Sequence, residues 1–193
     1  MQVIGITGGI GSGKSMVCKV FKSYGIPVFD SDAEAKKLYF NEEIIKAVEF
    51  VFANDNVVDN GIVNLITLGK IAFADDVKLS KLNKIIHEKL AVVFDEWCRT
   101  NAHQKYVIKE AAILIESGAY KQCNQIILVN CPIEMRIKNV MQRNNISEQE
   151  VRLLMQKQMS DDDKLAYAHH VIYNNEKNFL LAQISDLHHT FCN

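Results

Sequence analysis

Two short stretches near the start of the chain hold the residue types that phosphoryl transfer requires. The first is Gly8-Gly9-Ile10-Gly11-Ser12-Gly13-Lys14-Ser15, a complete G-x-x-x-x-G-K-S string. Glycines let backbone N–H groups turn inward without a Cβ in the way. Those groups, with the positive end of the helix they open, cradle phosphate oxygens. Lys14 then reaches the β- and γ-phosphates, and the Ser15 hydroxyl is placed to ligate Mg²⁺. The second stretch is Asp30-Ser31-Asp32. A hydroxyl acceptor needs a carboxylate to orient it and take its proton, and a metal ion held between phosphates. Strand alternation predicts that Asp30 and Asp32 face one side. Asp32 is then the base and Asp30 its support, through Mg²⁺-bound water or by orienting the loop. The plainer alternative for these carboxylates is a helix cap and an acidic first turn.

A third requirement is positive charge over the transferred group. Arg136 and Arg143 lie seven residues apart on one predicted helix, where each offers a planar fork to phosphate. The alternative is an ordinary solvated helix face.

These residues need elements to position them. Val3-Ile4-Gly5-Ile6 reads as a buried strand before the loop, and Val17, Val20 and Phe21 as the apolar face of the helix after it. Pro27-Val28-Phe29 predicts a second strand, expected to neighbour the first. From about 33 to 104 the pattern is almost wholly helical, broken by a turn at Asp59-Asn60-Gly61. Leu79, Leu82, Ile86, Leu90, Val93, Phe94 and Trp97 mark one face of a long helix. Lys105 to Ile108, Gln125 to Val129, and Val171-Ile172 supply three more strands, with a loop and short helix expected at 111–120. Helices are predicted from Ile133 to Arg143 and from Ser147 to Met159, the latter opened by a capping box of Ser147 and Glu150. Alternating strands and helices predict a three-layer α/β fold on a five-stranded parallel sheet, with ligands at the carboxyl ends of the strands.

Composition narrows the class further. Lys+Arg of 22 against Asp+Glu of 23 leaves a net charge of −1, which offers no general basic field for nucleic acid. No apolar run approaches the about 20 residues that span a bilayer. The first strand begins at residue 2, leaving no room for a signal peptide within this sequence. Five scattered cysteines without a C-x-x-C pair read as reduced thiols in a cytoplasmic protein. His169-His170 and His188-His189 read as surface residues, since adjacent helical residues do not face one way. Asp161-Asp162-Asp163 reads as a solvated acidic loop. A GTP switch is disfavoured: no glycine has Asp three residues before it, and Asn83-Lys84-Ile85-Ile86 lacks the aspartate of a guanine reader. A motor or transporter ATPase is disfavoured because neither Val107-Ile108-Lys109-Glu110 nor Leu128-Val129-Asn130 ends in Asp.

Taken together, these motifs resemble the dephospho-coenzyme A kinases over Val3 to about Asn175. The likeness is carried by Ile6 to Ser15, Val28-Phe29-Asp30-Ser31-Asp32 and Ile85-Ile86-His87. Ala112 to Gly118, Met141-Gln142-Arg143, Ala168, and Val171 to Asn175 extend it. The resemblance implies ATP- and Mg²⁺-dependent transfer of the γ-phosphoryl to the ribose 3′-hydroxyl of dephospho-CoA. It implies a nucleoside-monophosphate-kinase-like core at about 1–32 and 105–193. A helical CoA-binding subdomain is expected at about 33–104, and a mobile lid at about 136–160. Catalytic roles are expected for Lys14, Asp32 and Arg143. Nucleotide contacts are expected from Gly8 through Met16 and from Arg143, Asn174 and Asn175. Acceptor contacts are expected from Asp30, Asp32, His87, Glu116 and Arg136, and metal ligation from Ser15 and Asp30. No nucleic-acid, membrane or obligate protein partner is implied. The chain departs from the family pattern at Met16, Leu65, Glu88, Glu110, Ala112 and His169, where threonine, arginine, proline, aspartate, proline and aspartate are usual. Rivals are a shikimate-type kinase, a nucleoside monophosphate kinase and a non-catalytic nucleotide-binding regulator. Against the shikimate type, only Gly61, Gly69 and Gly118 follow residue 32, and none lies in a glycine-rich loop.

Overall fold

The computed structural model describes all residues, 1–193, and divides into two compact units. One comprises Met1–Asp30 with Cys98–Asn193, the other Ser31–Trp97.

The first unit is built on a five-stranded, all-parallel sheet. Its strands are β1 (Gln2–Thr7), β2 (Val28–Asp30), β5 (Tyr106–Glu110), β6 (Gln125–Asn130) and β7 (His170–Tyr173), in the order β2-β5-β1-β6-β7. Near-continuous apolar strands such as Gln125-Ile-Ile-Leu-Val suit a sheet covered on both faces. On one face Ile4, Ile6, Tyr106, Ile108, Ile127, Val129 and Ile172 pack against α1 (Lys14–Ser23) and α9 (Leu180–Cys192) through Val17, Phe21, Ile184 and Phe191. On the other, Ile126 packs with Ala111, Leu114 and Ile115 from the segment after β5. Gly5 is required on that face. A Cβ there would stand 2.7 Å from Leu114 and 2.9 Å from the Cys123 sulfur. Helices α6 (Ile133–Asn144), α7 (Glu148–Gln156) and α8 (Asp161–Leu165) complete the unit. The expected capping box is present: Ser147 accepts from the Glu150 amide, and the Glu150 carboxylate accepts from that of Ser147. This is the three-layer α/β fold expected.

One expectation about the sheet is overturned. β2 does not lie beside the P-loop strand, because β5 is inserted between them and pairs with both. The step from β1 to β2 runs only through α1, whereas the chain leaves β2 for the second unit and returns as β5 into the place between them.

The second unit holds α2 (Ser31–Leu38), α3 (Glu42–Val51), α4 (Leu65–Ala74) and most of α5 (Asp76–Thr100). It is not purely helical: β3 (Val58–Asp59) and β4 (Ile62–Val63) form a hairpin. Asn60 and Gly61 turn it with φ of 48° and 76°, the left-handed pair that matches strand twist. Side chains of Asn41 and Asn64 cap α3 and α4. Its own core, including Ile44, Val48, Phe52, Leu68, Leu82 and Ile86, lies wholly within these residues.

Candidate active site

The P-loop leaves β1 at the centre of the sheet and feeds α1, so the helix opens at Lys14 with Gly13 before it at φ 95°. The loop is packed too tightly for side chains. A Cβ at Gly8 would stand 2.5 Å from the Val129 carbonyl oxygen. At Gly11 it would stand 2.5 Å from that of Arg136, and at Gly13 2.2 Å from the Asn174 amide nitrogen. Gly11 also sits at φ 79°, where an L side chain is strained. Gly11→Ala is therefore expected to destabilise the fold by about 1–3 kcal/mol, read as a lower urea midpoint at unchanged m-value.

Side chains from three elements hold the loop from outside. Arg136 Nε donates to the Ile10 carbonyl at 3.0 Å, Asn139 Nδ2 to that of Gly11 at 3.0 Å, and Asn174 Nδ2 to that of Ser12 at 2.9 Å. Gln158 Oε1 accepts from the Ile10 N–H at 2.8 Å. Within the loop, Lys14 is almost wholly buried, and its Nζ donates to the Gly8 carbonyl at 2.9 Å and that of Gly9 at 3.3 Å. The Ser12 hydroxyl is fully buried with no hydrogen-bond partner. A buried orphan hydroxyl beside a cationic, glycine-lined concavity fits a polyanionic ligand such as a triphosphate. Ser15 and Met16 are exposed at the start of α1.

Two carboxylates end the adjacent strands β5 and β2. Glu110 is in register with Ile6 on β1 and with Asp30 on β2, and it is buried. In-register neighbours point to the same face of a sheet, which here is the α1 face. The Cys18 thiol of α1 reports this grouping. Burial first, then the negative charge of Glu110, with a smaller push from Asp30, raise it to about 12, while Lys22 and Lys14 pull it down. Cys18 accordingly stays a protonated core thiol. From the sequence Glu110 stands only as a departure where an aspartate is usual, with no site role, because Val107-Ile108-Lys109-Glu110 does not end in Asp. Its signal was present in its place at the end of an apolar strand.

Other expected residues fall differently. Asp32 is exposed in the first turn of α2, which begins at Ser31. Strand alternation therefore does not relate it to Asp30, because the backbone turns helical between them. Arg136 is not an open lid arginine. It is buried, braces Ile10, and pairs through Nη1 with Asp161 at 3.0 Å. Asp161 to Asp163 accordingly form not a loose acidic loop but the first turn of α8, capped by Ser160. Arg143 is exposed near the end of α6, its Nε donating to Asn144. Glu116 accepts from the Met159 N–H at 3.0 Å and pairs at 3.0 Å with Lys164, which is fully buried and also donates to the Ala112 carbonyl. Asn174 supports the P-loop, whereas Asn175 accepts from the amides of Lys177 and Asn178 and closes a local turn. His87 lies half-buried on α5 in the second unit. His188 is no bare surface residue: its Nδ1 meets the Tyr106 hydroxyl at 2.7 Å and its ring stacks on Tyr24. His170 is half-buried against Gln125, while His169 is exposed. All five cysteines are free, and no helix is long and apolar enough to cross a membrane.

Comparison with known proteins bears on the same residues. The family model described as dephospho-CoA kinase matches residues 2–179, a span that holds the loop, both strand-end carboxylates and every brace described above. A dephospho-CoA kinase of Bacteroides fragilis (strain YCH46) is 35% identical over 184 residues, covering 95% of this chain and 90% of that protein. The solved structure of TT1252 from Thermus thermophilus superposes with a TM-score of 0.89 at 29% identity, covering 100% and 98% of the two chains. The dephospho-CoA kinase from Campylobacter jejuni shares the fold with a TM-score of 0.73 at 22% identity, over 97% and 95%. With the phosphate cradle built and the match running nearly end to end, this chain belongs to the dephospho-CoA kinase family.

Proposed function

We propose that this protein transfers the γ-phosphoryl group of ATP to the ribose 3′-hydroxyl of dephospho-CoA, giving coenzyme A and ADP. The observation that carries the reading is the family match across residues 2–179 on a chain whose P-loop is fully formed. Inward loop amides and Lys14 bind and orient the β- and γ-phosphates, and hold charge that grows on them as the bond to the leaving oxygen lengthens. Asp32 takes the proton of the acceptor hydroxyl, and Arg143 supplies a guanidinium to the transferred group. Ser15 Oγ and the Asp30 carboxylate are hard oxygen donors of the kind Mg²⁺ prefers, with Glu110 adding negative charge beside Asp30. Bound there, Mg²⁺ would supply positive charge that offsets the charge of the phosphates. His87 and Glu116 contribute to the acceptor side, Glu116 by holding the segment at Met159. The helical region at about 33–104 serves as the CoA-binding subdomain, and the region at about 136–160 as the lid. A cytoplasmic protein without nucleic-acid or membrane partners fits the near-neutral charge.

The test is ADP release with dephospho-CoA, shikimate, AMP and UMP as parallel acceptors. Turnover with dephospho-CoA at least about 100-fold above the rest is expected, since a site built for one hydroxyl acceptor rejects others strongly. Equal rates, or preference for another acceptor, would overturn the assignment.

A further inference from the structure

We propose that Gln158 is a positioning residue for ATP, acting through the Gly9–Ile10 peptide of the P-loop. The inference rests on the kinase reading above and adds a residue to it.

The argument starts from peptide geometry. In a trans peptide the carbonyl of one residue and the N–H of the next point in opposite directions. Three of the four outer braces are donors: Arg136, Asn139 and Asn174 pull the carbonyls of Ile10, Gly11 and Ser12 outward. Each thereby turns the following amide, of Gly11, Ser12 or Gly13, the other way. Gln158 alone is an acceptor. By holding the Ile10 N–H outward at 2.8 Å it turns the Gly9 carbonyl inward. That carbonyl accepts from Lys14 Nζ at 3.3 Å and from the Ser12 N–H at 3.1 Å. The Gln158 amide thus governs one of the two carbonyls on which the phosphate-binding lysine rests. With Gln158 removed, the Ile10 N–H loses its acceptor, and the Gly9–Ile10 peptide is free to rotate and release Lys14.

Gln158 is itself firmly seated. It lies just past α7, and the next residue, Met159, donates its amide to Glu116, which pairs with the fully buried Lys164. On the other side Arg136, which holds the Ile10 carbonyl, is locked to Asp161. Both faces of Ile10 are therefore fastened to the segment joining α7 and α8, and glutamine supplies the acceptor without placing a negative charge beside the phosphates.

The test compares wild type with Gln158→Ala and Gln158→Glu, using ATP affinity by equilibrium titration, kinetics, melting temperature, and hydrogen exchange of the Ile10 amide. In Gln158→Ala, Kd and KM for ATP are expected to rise about fivefold to tenfold, the loss of one part-buried hydrogen bond. Because Lys14 loses part of its preorganisation, kcat is also expected to fall several-fold, while KM for the acceptor and Tm should stay within about twofold or a few degrees of wild type. Ile10 exchange should quicken in Gln158→Ala and stay slow in Gln158→Glu, whose carboxylate still accepts. An unchanged ATP Kd in Gln158→Ala overturns the proposal. So does a general loss of stability that moves both KM values together, which marks a structural role only. Absence of dephospho-CoA turnover in wild type would instead strike the functional reading, because the ATP titration and the exchange measurement do not depend on the acceptor.

Discussion

Replacement of Lys14 by alanine is expected to lower kcat by about 10²–10³-fold, the effect of deleting one preorganised charge partner of a transition state. Nearly all of the Lys14 side chain is withdrawn from water, and its ammonium rests on two loop carbonyls. Such a cation needs little reorganisation as phosphate charge develops, and low solvent access raises the value of each interaction. Alanine suits the first turn of α1, so Tm should fall only modestly while turnover collapses. The measurement is kcat at saturating ATP, with Tm as control. Wild-type turnover in the variant would remove this lysine from the chemistry.

The second large effect is expected at Asp32, where asparagine should reduce kcat by about 10²–10⁴-fold with ATP affinity unchanged, the cost of deleting a positioned general base. Asparagine keeps the shape and the hydrogen-bonding oxygen but gives up the ability to accept a proton. The comparison separates two roles for an acidic residue in a helix first turn. If Asp32 only complements the α2 dipole, the variant loses about 0.3–1 kcal/mol of stability and no rate. If it is the base, the rate falls and stability barely moves. An unaltered kcat would pass the role to another group, with Glu110 and Asp30 next to be tested.

The neighbourhood of Cys18 shows why charge placement mattered more than residue identity. Its thiol is held up to about 12 mainly by burial, and the free thiol is inert as a nucleophile at neutral pH. The strand register independently puts Glu110 and Asp30 side by side on the α1 face of the sheet. In the sheet order β5 lies between β1 and β2, so its terminal carboxylate is the nearer one to the loop.

Local features were legible because they depend on near neighbours along the chain. The glycine spacing of residues 8–13, the helix opening at Lys14, the Ser147–Glu150 capping box and the apolar face of α5 are written in consecutive residues, and backbone sterics enforce them. The Asn60-Gly61 turn was legible as well, yet its two strands were absorbed into a helical reading, since two-residue strands carry no period. Strand order, by contrast, reflects which apolar faces bury each other across long separations, as with Ile4 and Ile108. No periodicity within β2 says that β5 will intervene. The same holds for Arg136 and Arg143, alike by type and spacing. One is drawn into the gap between Ile10 and Asp161, and the other stays in solvent, because packing and not helix phase sets what each guanidinium can reach. Family and chemistry were thus readable from short-range chemical pattern, whereas the partners of Arg136, Glu116, Gln158 and Glu110 emerged when distant segments closed around the loop.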